Sequence, residues 1–286
     1  MSTFRVVGPG RAGLSLTAAL EAVGHRCIGT LGRGDRLDDA AGDVDILLIT
    51  TPDDTVAETA ARVDPVPETV VLHVSGSLGL DVLDGHPRRA SLHPLVPLPT
   101  PAVGAARLRS GITFAVAGDA LAGLLAQDLG GRAVEVADEH RTAYHAAAAI
   151  AANHLVALLG QVERVAAAAG LPLDAFGGLI RAATDDALAL GPRAALTGPA
   201  SRGDWRTIDG HRRTLAGLSG PRTELAAYDA LVSLAQRLRL DATEGDEGAG
   251  ASARAAAPGA RHEPSGSYGP AAPATNPSLP ASEQVA

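Results

Sequence analysis

Three glycines, Gly8, Gly10 and Gly13, follow the apolar run Phe4-Arg5-Val6-Val7 in the spacing G-x-G-x-x-G. Where a strand turns into a helix, each has a separate task. The first allows the tight turn, the second clears the backbone for a pyrophosphate, and the third lets the helix pack close to the strand. The helix start then offers free N–H groups and the positive end of its dipole, which favour an anion. A bare glycine pattern is weak, but here an amphipathic run (Leu14, Leu16, Leu20, Val23) and a second strand-like run, Cys27-Ile28-Gly29-Thr30-Leu31, follow it. The chemistry implied is dinucleotide binding by Gly8, Gly10, Arg11, Ala12 and Gly13. The alternative is a glycine-rich turn without a ligand.

Cofactor choice is read where the second strand ends, at Leu31-Gly32-Arg33-Gly34-Asp35. Arg33 lies 20 residues after Gly13 and suits a 2′-phosphate, and Arg11 offers a second contact. NADP is therefore expected over NAD, although Asp35 keeps NAD open as a ribose-hydroxyl partner. Two further strand ends carry small polar residues at the edge where ligands bind in such sheets. Thr51 and Pro52 end one and are placed beside the nicotinamide or its ribose; Ser75, in His73-Val74-Ser75-Gly76, ends the other and is placed on cofactor or substrate.

The chain has no lysine, so all 24 basic residues are arginine and amine chemistry is excluded. Histidine is then the obvious proton donor. His93 opens a stiff proline-rich loop, His93-Pro94-Leu95-Val96-Pro97-Leu98-Pro99-Thr100-Pro101, that suits the wall of a cleft; His211 follows a later loop. Arg141, His145, Ala149 and Asn153 recur every four residues and form a polar stripe on an alanine-rich helix. Such a stripe needs partners, either a small anionic substrate or a structural hydrogen-bond network. The expected roles are His145 as acid, Asn153 on the substrate carbonyl, and His93 and Arg141 on substrate. Thr197 and Arg202, in the loop Thr197 to Asp204, have the make-up of a carboxylate clamp, or of a connection whose Asp204 caps the next helix.

The elements that must position these residues alternate strand and helix from Phe4 to about Val136, the pattern of a Rossmann-type doubly wound parallel sheet. The strand candidates are Phe4–Val7, Cys27–Leu31, Asp45–Thr50, Thr69–Val74, Ala90–Leu92, Ile112–Val116 and Ala133–Val136. Helices alone follow, one running unbroken from Asp138 to Gly170, then Asp174–Leu190 and two more near Trp205–Leu218 and Arg222–Leu240. The fold class is thus α/β with a smaller all-α domain behind it: a dinucleotide-binding domain over 1–137, a helical substrate and dimerisation domain over 138–240, and a disordered tail over 241–286 with hardly any large apolar residue. A net charge of -8 argues against nucleic acid. The lone Cys27 rules out an internal disulfide and a thiolate metal cluster, and no metal site is expected. With Met1-Ser2-Thr3 leading straight into a strand, and His145, Asn153 and His154 interrupting the most apolar helix, we expect neither signal peptide nor membrane span and read a cytoplasmic protein.

Together, the glycine loop, Thr51-Pro52-Asp53-Asp54, His73-x-Ser75-Gly76, Ser91-Leu92-His93-Pro94-Leu95, Tyr144-His145-Ala146-Ala147 leading to Asn153, and Leu196-Thr197-Gly198-Pro199 with Arg202-Gly203-Asp204 resemble the Rossmann-like proteins with a carboxy-terminal domain of unknown function. Their architecture is similar to pyrroline carboxylate reductase, ketopantoate reductase and the β-hydroxyacid dehydrogenases, whose second domain is of the 6-phosphogluconate dehydrogenase type. The resemblance implies an NADP-linked oxidoreductase, homodimeric through its helical domain, acting on a small carboxylate-bearing molecule. Ketopantoate reductases and β-hydroxyacid dehydrogenases place an acidic lysine on the first long helix of the second domain; here His145 occupies the comparable stretch. A ketopantoate-like 2-oxo acid is the first substrate expected, with a cyclic imine, or NADP(H) sensing without turnover, as alternatives.

Overall fold

The computed structural model describes residues 1–218 and 224–253. Strands β1 (Thr3–Val7), β2 (Arg26–Leu31), β3 (Ile46–Ile49), β4 (Val70–His73), β5 (Arg88–Pro94), β6 (Thr113–Gly118) and β7 (Arg132–Glu135) form one sheet in the order β2-β1-β3-β4-β5-β6-β7. Pairing is parallel from β2 through β5. The sequence predicts these seven strands but a wholly parallel sheet. Instead β6 runs antiparallel to β5, and β7 parallel to β6. The reason lies in the connection: β5 leads through the proline-rich loop and the short helix α3 (Pro101–Leu108) back to the edge it left, where the Leu95 N–H donates to the Thr113 carbonyl at 2.9 Å. A link that ends where it began reverses the next strand.

The central strands β3 (Ile-Leu-Leu-Ile) and β4 (Val-Val-Leu-His) are buried throughout, as strands covered on both faces must be. Their side chains alternate between two clusters. Ile46, Leu48, Val70 and Leu72 join Phe4, Leu16, Leu20, Leu92 and Phe114, whereas Leu47, Ile49 and Val71 join Val7, Leu37, Val56 and Leu83. Helix α1 (Arg11–Ala22) begins at Gly10 without a side-chain cap. Gly8, at φ 94°, turns the chain in a conformation that glycine alone adopts freely, and its N–H donates to the Leu31 carbonyl at 2.9 Å. Gly13 is the tight point: a Cβ there would stand 2.5 Å from Thr50 Oγ1 and 2.6 Å from the Gly8 carbonyl oxygen, whereas one on Gly10 would meet nothing within 4 Å. The order β2-β1-β3 puts a topological switch at the carboxyl ends of β1 and β3, where α/β sheets open a ligand crevice.

Helices α2 (Val56–Ala61) and α4 (Leu121–Asp128) complete the sheet's cover. The helix predicted without a break from Asp138 is divided. A 3-10 turn over Asp138–His140 leads into α5 (Arg141–Ala149), a π segment over Ile150–His154, and α6 (Leu155–Ala167). No glycine or proline in this stretch announces the π segment. Within the helix Asp138–Ala167 an 18-residue window of mean hydropathy 1.3 passes a length-and-composition test for a membrane span, a test that core helices of soluble proteins pass as well. Its first residue after the 3-10 turn, Arg141, is nevertheless buried against the sheet's carboxyl edge.

Two compact units divide the chain after Ala175, whereas its composition changes at Ala137. The second unit holds α7 (Gly177–Leu190), α8 (Pro192–Ala195), α9 (Pro199–Arg202), α10 (Trp205–Gly217) and α11 (Leu225–Ala253). Helix α7 stops at Gly191, at φ 85°. Asp204 caps α10 by accepting from the Thr207 N–H at 3.1 Å. Helix α11 continues past Leu240, and the rest of the expected tail, from residue 254, lies outside the described residues.

Gly13→Ala is expected to lower the unfolding free energy by about 1–3 kcal/mol through overpacking, while Gly10→Ala leaves it within about 1 kcal/mol. Denaturant melts of both variants check this.

Candidate active site

At the switch point a cleft of about 500 Å³ is lined by Gly8, Pro9, Gly10, Arg33, Thr50, Thr51, Pro52, Thr55, Glu58 and Arg62, among others. Thr50 shapes its floor, donating from Oγ1 to the Gly8 carbonyl at 2.6 Å and so holding the glycine turn to β3. Thr51 Oγ1 is buried and has no hydrogen-bond partner. A buried hydroxyl without a partner is costly, and in the wall of a cleft a bound ligand relieves it. At the far end Asp35 is exposed and bonds its own turn. Its carboxylate accepts the Gly32 N–H at 2.7 Å, while Arg33 is exposed in the cleft wall and Arg62 donates to the Asp35 carbonyl at 3.2 Å. Arg62 is a second cation in the cleft that the sequence reading passes over, since it lies on α2, far from the glycine fingerprint. Arg11 and Ala12 stand at the start of α1, outside the cleft's lining.

The neighbouring strand ends carry a denser cluster. Ser75 Oγ donates to Asp53 Oδ2 at 2.8 Å, and so does Ser77 Oγ at 2.8 Å. Ser75 therefore ties the β4 end to the β3 end, with its hydroxyl committed to protein rather than held out to cofactor. Arg141, 1% exposed, is committed likewise: it donates to Ser91 Oγ, to the Ser75 carbonyl at 3.4 Å and to Asp138 Oδ1 at 3.3 Å. Asp138 also accepts the Leu80 N–H at 2.9 Å. Of the two outcomes open to the polar stripe, Arg141 takes the structural one.

One turn on from Arg141, α5 presents Tyr144 and His145 on the same face. Tyr144 Oη lies 2.5 Å from His93 Nδ1, the rings meeting edge to face. The His145 ring stands 6.2 Å from that of His93, and its buried Nδ1 has no partner. Both imidazoles close on Gly76. A Cβ there would lie 2.8 Å from His145 Nδ1 and 2.9 Å from His93 Nε2, so only glycine lets the β4 loop approach them. Asn153, on the π segment, is exposed and does not join this group, because the wider turn breaks the four-residue phase that aligned it with His145. His211 bonds Tyr228 at 2.8 Å within the second unit, where Thr197 and Arg202 are also found, both exposed.

Burial, then the charges of His145 and Arg141, push the His93 pKa down to about 4; burial and Arg141 do the same for His73, also to about 4. His73 is fully buried, its Nε2 donating to the Gly79 carbonyl at 3.2 Å. Burial raises the Tyr144 phenol to about 12, with Arg141 opposing. At neutral pH the cluster thus holds two neutral imidazoles and a protonated phenol. Tyr144, Asp53, Ser77, His73 and Gly76 were legible only as neighbours of expected site residues; nothing in their own spacing marks them.

Residues 111–235 match the family profile of a domain of unknown function, DUF2520. No curated protein matches the chain in sequence. Among solved structures, a protein from Thermotoga maritima is similar at 22% identity and TM-score 0.65, covering 84% of this chain and 99% of its own. A proposed NADP oxidoreductase from Bacteroides fragilis stands at 21% and 0.66, covering 83% and 97%. Pyrroline carboxylate reductase from Plasmodium falciparum, with NADP bound, stands at 9% and 0.55, covering 83% and 98%. The fold is thus a Rossmann-type sheet followed by helices, shared with these proteins.

His73 and His93 also set a pH dependence. Their folded pKa of about 4 lies below the usual 6.5, so the folded state resists protonation. Their contribution to stability is complete above about pH 6.5 and is lost as pH falls towards 4, by up to about 3 kcal/mol for each at 1.4 kcal/mol per unit. Denaturation midpoints should fall between pH 7 and 4.5, and fall less steeply in His93→Gln.

Proposed function

We propose that the protein is an NADP(H)-dependent oxidoreductase that reduces a small molecule between the strand ends bearing Pro52, Ser75 and His93 and the His145 face of α5. The observation that carries this is the cleft itself: a glycine turn with an uncapped helix start at its centre, Arg33 and Arg62 at one end, and the unpartnered Thr51 hydroxyl in its wall. The pyrophosphate crosses Gly10, where the backbone is open. Arg33 and Arg62 take the 2′-phosphate, while one oxygen of the Asp35 carboxylate, the group that would favour NAD, is engaged by the Gly32 N–H. Proteins of similar fold include one with NADP bound and a reductive aminase from Aspergillus terreus in complex with an NADPH species, which supports the same choice.

The cluster supports a substrate class. A half-buried phenol and imidazole beside an orphan His145 Nδ1 suit a group that needs a hydrogen bond and a proton as hydride arrives, and we place the carbonyl of a small carboxylate-bearing acid, ketopantoate-like in form, first. A cyclic imine is the second reading, favoured by the similarity to pyrroline carboxylate reductase and to an imine reductase from Bacillus cereus. Hydride passes from the nicotinamide to the electrophilic carbon, with the unpartnered His145 Nδ1 beside it. Asn153 and Arg202 have no part in this site as proposed. A cytoplasmic homodimer completes the reading, its contact drawing on the exposed Ile150 and Val156 of the long helix; sedimentation should give twice the chain mass.

Titration of NADPH and NADH by fluorescence tests the cofactor. NADPH should bind, and Arg33→Ala and Arg62→Ala should each weaken it at least tenfold, about 1.4 kcal/mol, with little change for NADH. Absence of NADPH binding defeats the proposal. Consumption of NADPH with 2-oxo acids but not cyclic imines selects the first substrate class, and the reverse selects the second. Tight binding without turnover on either panel selects an NADP(H) sensor instead.

A further inference from the structure

We infer that Tyr144 is the group that hands a proton to the substrate, and that His93 positions it by donating its Nδ1–H to the phenol oxygen. This rests on the reductase reading above and assigns the acid within that site.

Only one other arrangement of the 2.5 Å contact is available. Either His93 donates from Nδ1 and the phenol hydrogen is left to point into the cluster, or the phenol donates to His93 and has no hydrogen to give. The first keeps the phenol hydrogen free for a substrate. His93 is half-buried and neutral near pH 7, so it holds no imidazolium proton to give, and a neutral imidazole N–H is a far weaker acid than a phenol. Tyr144 is therefore the better acid of the pair. The tyrosinate left after transfer would be held by the His93 N–H, and the buried Arg141 guanidinium lies close enough to favour that anion against the cost of burial. Helical spacing fixes the geometry: Arg141 anchors α5 to Ser91 and the Ser75 carbonyl, and Tyr144 and His145 follow three and four residues later on that face. His145, with its unpartnered Nδ1, then orients the substrate rather than protonating it.

The step balances. Hydride leaves the dihydronicotinamide carbon and bonds the substrate carbon. The π electrons of the C=O or C=N bond move to the heteroatom, which takes the Tyr144 proton. Half-exposed Tyr144 regains a proton from solvent, giving the reduced product and the oxidised nicotinamide.

Two measurements on the full chain test this. The first is the histidine tautomer, from long-range ¹H–¹⁵N correlation spectra of ¹⁵N-histidine-labelled protein, with His93→Gln assigning the signal. His93 should carry its hydrogen on Nδ1 at pH 7; a hydrogen on Nε2 overturns the inference whether or not a substrate has been found. The second is Tyr144→Phe, assayed for NADPH binding by fluorescence and for turnover on pyruvate-type 2-oxo acids and 1-pyrroline carboxylate. NADPH affinity should stay within twofold of wild type, while kcat falls at least 100-fold. His93→Gln should keep NADPH binding and shift the alkaline limb of the kcat profile, a change that a merely structural role would not produce. Loss of kcat in His145→Gln together with full kcat in Tyr144→Phe transfers the acid to His145 and overturns the inference. Failure of wild-type protein to bind NADPH is a different result, and sinks the reductase reading itself.

Discussion

The site depends on one buried cation. Arg141 is 1% exposed, yet it carries a full charge at the carboxyl edge of the sheet. A guanidinium taken out of water costs several kcal/mol unless its donors find partners, and here Ser91, the Ser75 carbonyl and Asp138 engage one N–H on each of its three nitrogens. The partners come from β5, the loop after β4 and the turn before α5. Burying the charge therefore obliges three separate elements to converge. The consequence is positional: once α5 starts at that point, its next turn must lay Tyr144 and His145 over His93 and Gly76.

The glycine cleft is built on a complementary constraint, close approach without side chains. Gly8 turns at positive φ, Gly13 lies against Thr50 and the Gly8 carbonyl, and Gly76 lets two imidazoles close on the loop after β4. Thr50 and the Asp53–Ser75–Ser77 set then lock the strand ends to each other. Rigid strand ends bearing small residues leave room for a ligand, and Thr51 Oγ1, His73 Nδ1 and His145 Nδ1 are buried near them with no hydrogen-bond partner. The burial that pushes His73 and His93 down to about 4 keeps these rings neutral, so the cluster offers donors and acceptors rather than added positive charge.

Much of this was legible in the sequence because it is local. The glycine spacing, the apolar runs of β3 and β4, and the stop at Gly191 all act through neighbouring residues, and all seven strands stand where their apolar runs predict. What escaped depends on partners distant in sequence. The reversal of β6 follows from where α3 returns the chain, and the burial of Arg141 from Ser91, fifty residues earlier. The π segment at Ile150–His154 has no breaker to announce it, and it removes Asn153 from the stripe it would share with His145 in a regular helix. The sequence places Ser75 at the sheet's ligand edge, but its bond to Asp53 spans 22 residues and only the fold shows it. Tyr144 carries no signal of its own, because its partner His93 lies 51 residues earlier and only the fold brings the two together.

The central claim is that the glycine cleft and the His93–Tyr144–His145 cluster serve one bound dinucleotide. A crystal structure of the protein with NADP⁺ tests it most directly. The account predicts the pyrophosphate over Gly10, the 2′-phosphate between Arg33 and Arg62, and the nicotinamide ring beside Pro52 and the Gly76 loop, facing His145. A dinucleotide bound with its nicotinamide turned away from that loop, or density in the cleft for no dinucleotide at all, would contradict it.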